Sequence, residues 1–449
     1  MFLRKIVLAL MAFLVFSIPI AGGRLSFDLS LGPLGLMSIV GLLAFLFAIA
    51  SLLFGHRGLG RTAVPMDLSV TLFGIFVALN FASVGWAEDS SVAIKNSVAF
   101  FQIFIFVWLL LFLRSEPKAF NIILHAFFLG SMLLVANALY DVLSIGLDTF
   151  ERQRIGGLDI QVNRFAFKMA LGIPVAFYLF QRGIPSLRWV YLAYIPAAVF
   201  LVFLSGSRTG SAATLFALLA GVWLLLKVEG RGEARFSPKR LLILGVVGMV
   251  LAVSVVPFVS DRFAFHAERV ASLADPMDTA GRSTASSGFG ARLHLWEFAS
   301  AAYLDNPVLG VGSGGANTAM LDYTGREGLM ISLSERGLSV HNAYLAIASE
   351  TGTVGMLLYL AVIVTLIVRI RTFPRQEKLM FLSVMGVGLV TALAMTNETT
   401  RDFNLALFLS VIFLWPRTQP ASASVVADPA RLAEGPHAQS VRQGRPGAQ

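Results

Sequence analysis

The chain has 449 residues, 56% of them hydrophobic and only 14% charged; soluble domains carry about 25% charged residues, so an ordinary soluble protein is excluded and a polytopic membrane protein is implied. No cysteine is present, which excludes a disulfide framework and a thiolate metal site. The net charge of +9 does not require nucleic acid as a partner, because cytoplasmic loops of membrane proteins collect Lys and Arg.

A membrane helix takes roughly 20 mostly apolar residues. About twelve such runs lie near 4–21, 34–54, 67–86, 94–113, 119–141, 163–181, 187–205, 210–227, 240–260, 341–368, 379–396 and 402–416. The first has features of a signal peptide: Arg4 and Lys5, an apolar stretch, then Ala21-Gly22-Gly23. Pro19 fits that cleavage site poorly, and a retained helix is the expectation.

Loop charge orients the rest. With the N-terminus inside, the inner loops hold Arg57 and Arg61, Arg114 and Lys118, Arg182 and Arg188, a cluster from Lys227 to Arg240, and Arg369 to Lys378. The short outer turns are sparser, with Glu88-Asp89, Asn397-Glu398 and Arg401-Asp402. This is the positive-inside pattern, and it places both termini in the cytoplasm.

Two outer segments are longer, about Ser144 to Val162 and about Asp261 to Val340. The second is too long for a passive connection. Within it, Leu293, Trp296, Ala299 and Tyr303 fall at helical spacing. Asp305-Asn306-Pro307 ends that helix, and GVGSGG (310–315) is a glycine-rich turn whose backbone can approach a partner closely. The expectation is short helices covering a cavity. The organisation is therefore a membrane domain over 1–417 and a disordered cytoplasmic tail over 418–449, rich in Ala, Pro, Gly, Gln and Ser.

Ionisable residues at membrane depth are costly, so each is a functional candidate. Arg208 sits in SGSRTG (205–210) between two apolar runs; it is either a ligand contact or a turn arginine reaching lipid phosphate. Arg164 and Lys168 are four apart and share one helix face, as an anion site or as interfacial anchors. Arg292 begins the loop helix, where a cation opposes the dipole unless an anion is near. His341 stands at the outer start of the tenth run and is the candidate acid or base, since imidazole titrates near neutrality; an interfacial anchor is the alternative. Glu350 lies nine residues on and does not share its face; it reads as a carboxyl bonded to a neighbouring helix.

Other chemistries lack their parts. There is no HExxH, no phosphate loop of Walker type and no GxSxG. His56, His125, His266, His294, His341 and His437 are scattered, so no metal site is expected. What remains is several arginines and one histidine on one membrane face. Arginines clamp phosphates by paired hydrogen bonds, and a base beside a clamped diphosphate suits transfer of an activated group without a metal.

SGSRTG, RLHLWEFA (292–299), NPVLGVGSGG (306–315) and HNAYLAIASETGTVG (341–355) together resemble the O-antigen ligase and polymerase superfamily, and Asn163 in QVNRFA is similar to an asparagine of that family. The likeness is strongest over about 200–360. It implies a GT-C-like all-α fold of about twelve transmembrane helices, with one large periplasmic loop between helices 9 and 10. It also implies a metal- and cofactor-independent glycosyltransferase of the bacterial inner membrane, acting at the periplasmic face among membrane lipids. The donor would be a glycan on undecaprenyl diphosphate and the acceptor lipid A–core or a second glycan. Arg208 and Arg292 resemble arginines that hold the diphosphate, and His341 the histidine that activates the acceptor hydroxyl; Arg164 and Lys168 are further substrate-binding candidates. Ligase activity is the first expectation, with O-antigen or exopolysaccharide polymerase as its alternative. A transporter or flippase for an anionic substrate is the alternative of another class, because twelve helices with both termini inside is also a common transporter plan.

Overall fold

A computed structural model of the chain describes residues 2–21, 30–31, 34–54, 67–116, 118–145, 161–226, 290–320 and 339–413. The run near 240–260, most of the long loop and the C-terminal tail lie outside the described residues. The others fall on helices: α1 (Phe2–Ser17), α2 (Leu36–Phe54), α3 (Leu68–Ala82), α4 (Ser90–Phe112), α5 (Ala119–Ile145), α6 (Val162–Arg182), α7 (Arg188–Ser205), α8 (Arg208–Leu226), α9 (Gly290–Asp305), α10 (Ala343–Arg371), α11 (Arg375–Ala392) and α12 (Arg401–Phe408). Two-residue strands, Ser30–Leu31 and Leu34–Gly35, pair antiparallel. The architecture is all-α. Six helices among the described residues are long and apolar enough to cross a membrane.

Polar caps set where several helices begin. Asp67 accepts from the Ser69 amide at the start of α3, and Asp89 accepts from Ser91 and Val92 at the start of α4. Asn342 does the same for Tyr344 and Leu345 at the start of α10. Each satisfies amides that the first turn leaves without an intrahelical partner.

α6 carries Arg164, Lys168 and Arg182, yet it is buried continuously from Phe165 to Phe180. It packs against α5, α7, α8 and α11, so the buried Lys168 sits among other helices rather than in lipid. Aromatic side chains fill the same core, with Phe165, Phe167, Phe381, Phe403 and Phe408 all fully buried. By contrast α2 leaves Leu42, Leu43, Leu46, Leu53 and Phe54 exposed, a continuous apolar face suited to lipid.

Polar contacts gather at the two ends of the bundle. At one, Asp67 pairs with Arg369 and lies 3.9 Å from Arg114, while Arg369 also donates to the Val411 and Phe413 carbonyls. Arg4 donates to Ser115 there, and Arg182 to Gln376. The other end is where α1, α7 and α11 finish and α4, α6, α8, α10 and α12 begin. It holds the candidate residues.

Candidate functional site

The sequence places His341 at the start of a helix. In the structure α10 begins two residues later, with Asn342 as its cap. His341 precedes the cap with φ 52°, the one non-glycine residue at positive φ among the described residues. That backbone conformation costs a side-chain-bearing residue roughly 1–3 kcal/mol and persists only where the surroundings hold it. Here they do: Val340 is buried, and Ser339 is hydrogen-bonded to Thr396 at 2.5 Å. The imidazole is half-buried. Burial, and secondly the charge of Arg292, hold its pKa below the usual value. Both effects favour the neutral ring, which keeps one nitrogen free to accept a proton.

Arg292 lies in the first turn of α9. That helix packs on α10, with Leu295, Phe298 and Ala299 meeting Val340 and Ala346. The buried stripe therefore runs through Leu295, Phe298, Ala299 and Ala302 rather than along Leu293, Trp296, Ala299 and Tyr303. The periodicity identifies the helix, but both stripes are apolar at helical spacing, and contact with α10 decides between them. Burial, and then the neighbouring Arg208, make the protonated form of Arg292 less favourable than in water.

Arg208 opens α8. Gly206, at φ 64°, ends α7 in the left-handed conformation that glycine adopts without cost. Ser207 then caps α8 by accepting from the Gly210 amide at 3.0 Å. Its hydroxyl donates to Asn163 Oδ1 at 2.8 Å, which ties the start of α8 to the start of α6. Arg292 thus lies within electrostatic range of both Arg208 and His341, which come from separate parts of the chain. Each sits at a helix N-terminus, where exposed amides add partial positive charge. Two like charges held together against their mutual repulsion are relieved by an anion placed between them, and phosphate suits guanidinium geometry.

The glycine turn approaches a partner, and the partner is the chain's own α10. That helix is interrupted at Gly352, whose φ of 64° and ψ of −166° are not helical. The freed backbone groups pair with the turn: Val311 N with Ser349 O at 2.9 Å, Gly312 N with Glu350 O at 2.9 Å, Thr353 N with Pro307 O at 2.8 Å, and Val354 N with Val308 O at 3.2 Å. Ser313 extends the anchor, its amide donating to Ser83 Oγ at 2.9 Å and its hydroxyl to Asn80 Oδ1 at 2.7 Å. Asn96 of α4 donates to Ser313 Oγ and to the Glu350 carboxylate. Glu350 is thus bonded to a neighbouring helix and stands apart from His341. The interruption at Gly352 has no signal in the local sequence beyond the glycine itself.

Arg164 and Lys168 do not join the cluster. They line a separate cavity of about 540 Å³ together with Arg401 and Asp402. Nearby, burial pushes the Glu398 carboxyl up to about 7, with its own and the Asn397 backbone amides and Arg164 opposing. Sequence reasoning read Glu398, Arg401 and Asp402 only as turn charges. Among the described residues no three His, Asp or Glu side chains group as a metal site would need.

The O-antigen ligase family matches residues 192–360, the span that contains Arg208, Arg292, His341 and Gly352. The likeness carried by the four motifs is therefore upheld over that span. An uncharacterized protein of Haemophilus influenzae is 24% identical over 266 residues, which is 59% of this chain and 63% of that relative. The chain spans less than two thirds of the relative's length.

Proposed function

Starting from the O-antigen ligase match over 192–360, we propose that this protein is a glycosyltransferase that moves a glycan from undecaprenyl diphosphate to lipid A–core. The convergence of Arg208, Arg292 and His341 carries the reading. The donor diphosphate lies against the two guanidinium groups. An acceptor sugar hydroxyl attacks the anomeric carbon while its proton passes to the neutral imidazole of His341. The anomeric carbon–oxygen bond to the diphosphate breaks, the leaving diphosphate is stabilised by the arginines, and the anomeric centre inverts. No metal is required in this scheme, since the arginines balance the developing charge. In this reading the bundle has twelve transmembrane helices, both termini are cytoplasmic and the site faces the periplasm.

Order of binding follows from the electrostatics. With the donor site empty, Arg292 lowers the basicity of His341. A bound diphosphate reverses the local field and raises it. The base becomes effective when the leaving group is in place.

The test is complementation of a deletion strain, with surface glycan resolved on a gel. General-base assistance is worth about 10²–10⁴-fold, so His341→Ala should leave the protein inserted and folded but fail to restore glycan on lipid A–core. Bare lipid A–core with glycan stranded on the lipid carrier identifies a ligase, and lipid A–core bearing a single repeat identifies a polymerase. Normal glycan from His341→Ala refutes the base assignment.

A further inference from the structure

α10 carries an exposed apolar stripe. Val354, Leu357, Leu360, Val364 and Val368 recur every three or four residues, each between 37% and 61% exposed, and so share one face. On a helix long and apolar enough to cross a membrane, that face meets lipid. The stripe does not stop at Val354. Val354 N donates to Val308 O at 3.2 Å and Thr353 N to Pro307 O at 2.8 Å, while the Tyr303 hydroxyl is bonded to Thr353 Oγ1 at 2.8 Å. The end of α9 and the turn after it are therefore laid against the head of the stripe. There Leu304, Val308 and Leu309 are 71%, 62% and 43% exposed.

Depth decides what they meet. Arg369 lies in the charged belt at the opposite end of the bundle, paired with Asp67. From Arg369 to Val354 is fifteen residues, about 22 Å of helix. The hydrocarbon core is about 30 Å thick. With α10 upright, the turn bonded to Val354 lies about 8 Å inside the hydrocarbon edge at the candidate-site end, and any tilt sets it deeper. Backbone at that depth needs protein partners, and the bonds to α10 supply them. The turn is not uniformly apolar. Asp305 and Asn306 are exposed between Leu304 and Val308, and Tyr303 is half-buried beside them. Apolar side chains interleaved with polar ones suit an element lying about 5–10 Å into the boundary between headgroups and acyl chains, the depth that the length of α10 gives.

We propose that Leu304, Val308 and Leu309 form a membrane-seated wedge whose partner is the hydrocarbon of the leaflet at the candidate-site end. Residues that the sequence assigns to a loop outside the membrane are then held in it. α9 has Arg292 in its first turn and this wedge at its far end, so the bilayer fixes one end of the helix that carries Arg292. The assignment rests on α10 crossing the membrane and not on the glycosyl-transfer reading. The chain has no cysteine, so one introduced thiol carries one nitroxide label. Leu304→Cys, Val308→Cys and Leu309→Cys are labelled in the full-length protein, placed in phosphatidylcholine nanodiscs and read by power-saturation electron paramagnetic resonance. Oxygen, which concentrates in hydrocarbon, and a water-soluble nickel chelate are the two collision partners. Val364→Cys on the stripe is the lipid reference, and Glu88→Cys, exposed in the turn before α4, is the water reference. The oxygen-to-nickel ratio at the labelled turn positions should lie closer to Val364→Cys and exceed Glu88→Cys at least about tenfold, a partition of about 1.4 kcal/mol. All three positions are exposed, so the labels spare the core, and three of them keep the test open if one variant aggregates. A ratio that falls short of this places the turn in water and overturns the proposal. Poor collision with both reagents also overturns it, by showing that protein covers the patch.

Discussion

Gly352→Ala tests the junction between the glycine turn and α10. Gly352 sits at φ 64°, ψ −166°, a region that is essentially restricted to glycine and costs roughly 1–3 kcal/mol for other residues. Space adds to conformation. A Cβ there would lie 2.3 Å from the Val308 carbonyl oxygen and 2.4 Å from its carbon, both backbone atoms, so the turn must move. The bonds nearest the clash are Thr353 N to Pro307 O and Val354 N to Val308 O. At about 0.5–1.5 kcal/mol each, losing both adds about 1–3 kcal/mol. The expected destabilisation is therefore about 2–6 kcal/mol. For a chain of this size each kcal/mol lowers the melting temperature by roughly 1–2 °C, so the drop should be roughly 2–12 °C, read by thermal challenge and size-exclusion chromatography. Proteolysis between 307 and 315 should accelerate. Gly41→Ala is the control: its nearest neighbour is Leu14 Cδ1 at 4.0 Å, and it should melt with the wild type or slightly above it. A Gly352→Ala protein that melts with the wild type and resists protease equally refutes the account of the junction.

Other outcomes follow from the same geometry. The kcat/KM for the donor, which reports the free enzyme, should begin to fall at a lower pH than an ordinary histidine would give, because burial and Arg292 depress the His341 pKa; Arg292→Gln should shift that falling limb to higher pH, whatever it does to the rate. The same depression means the unfolded chain takes up the proton first, so stability should decline as pH falls through about 6.5, the unfolded value, and His341→Gln should flatten that decline in thermal melts. Asp67→Asn strips the partner from Arg369, whose side chain is 14% exposed; leaving a buried charge uncompensated costs about 3–5 kcal/mol, and adding Arg369→Met should recover much of the lost melting temperature. Ser313→Ala removes the donor to Asn80 Oδ1 and the acceptor for Asn96 and should cost about 1–3 kcal/mol, with unchanged stability as the result against it.

Much of the helical pattern was legible in the chain because a hydrocarbon solvent demands long apolar runs, whereas the caps Asp67, Asp89 and Asn342 emerged only with the structure. Arg208, Arg292 and His341 were also legible, as charges whose burial needs a reason and as parts of motifs shared with one family. Composition alone excluded a soluble protein, a thiolate metal site and a disulfide framework. Tertiary structure decided how those residues relate. It brought three helix N-termini together, and it set Arg164 and Lys168 on the opposite side of α6 from Asn163, though all three begin the same helix. It chose Leu295 over Leu293 as the buried side of α9, because contact with α10 determines which apolar stripe is covered. It also gave GVGSGG its partner, the broken backbone at Gly352. Proximity between residues hundreds of positions apart depends on how helices cross, and periodicity along one helix carries no record of that crossing.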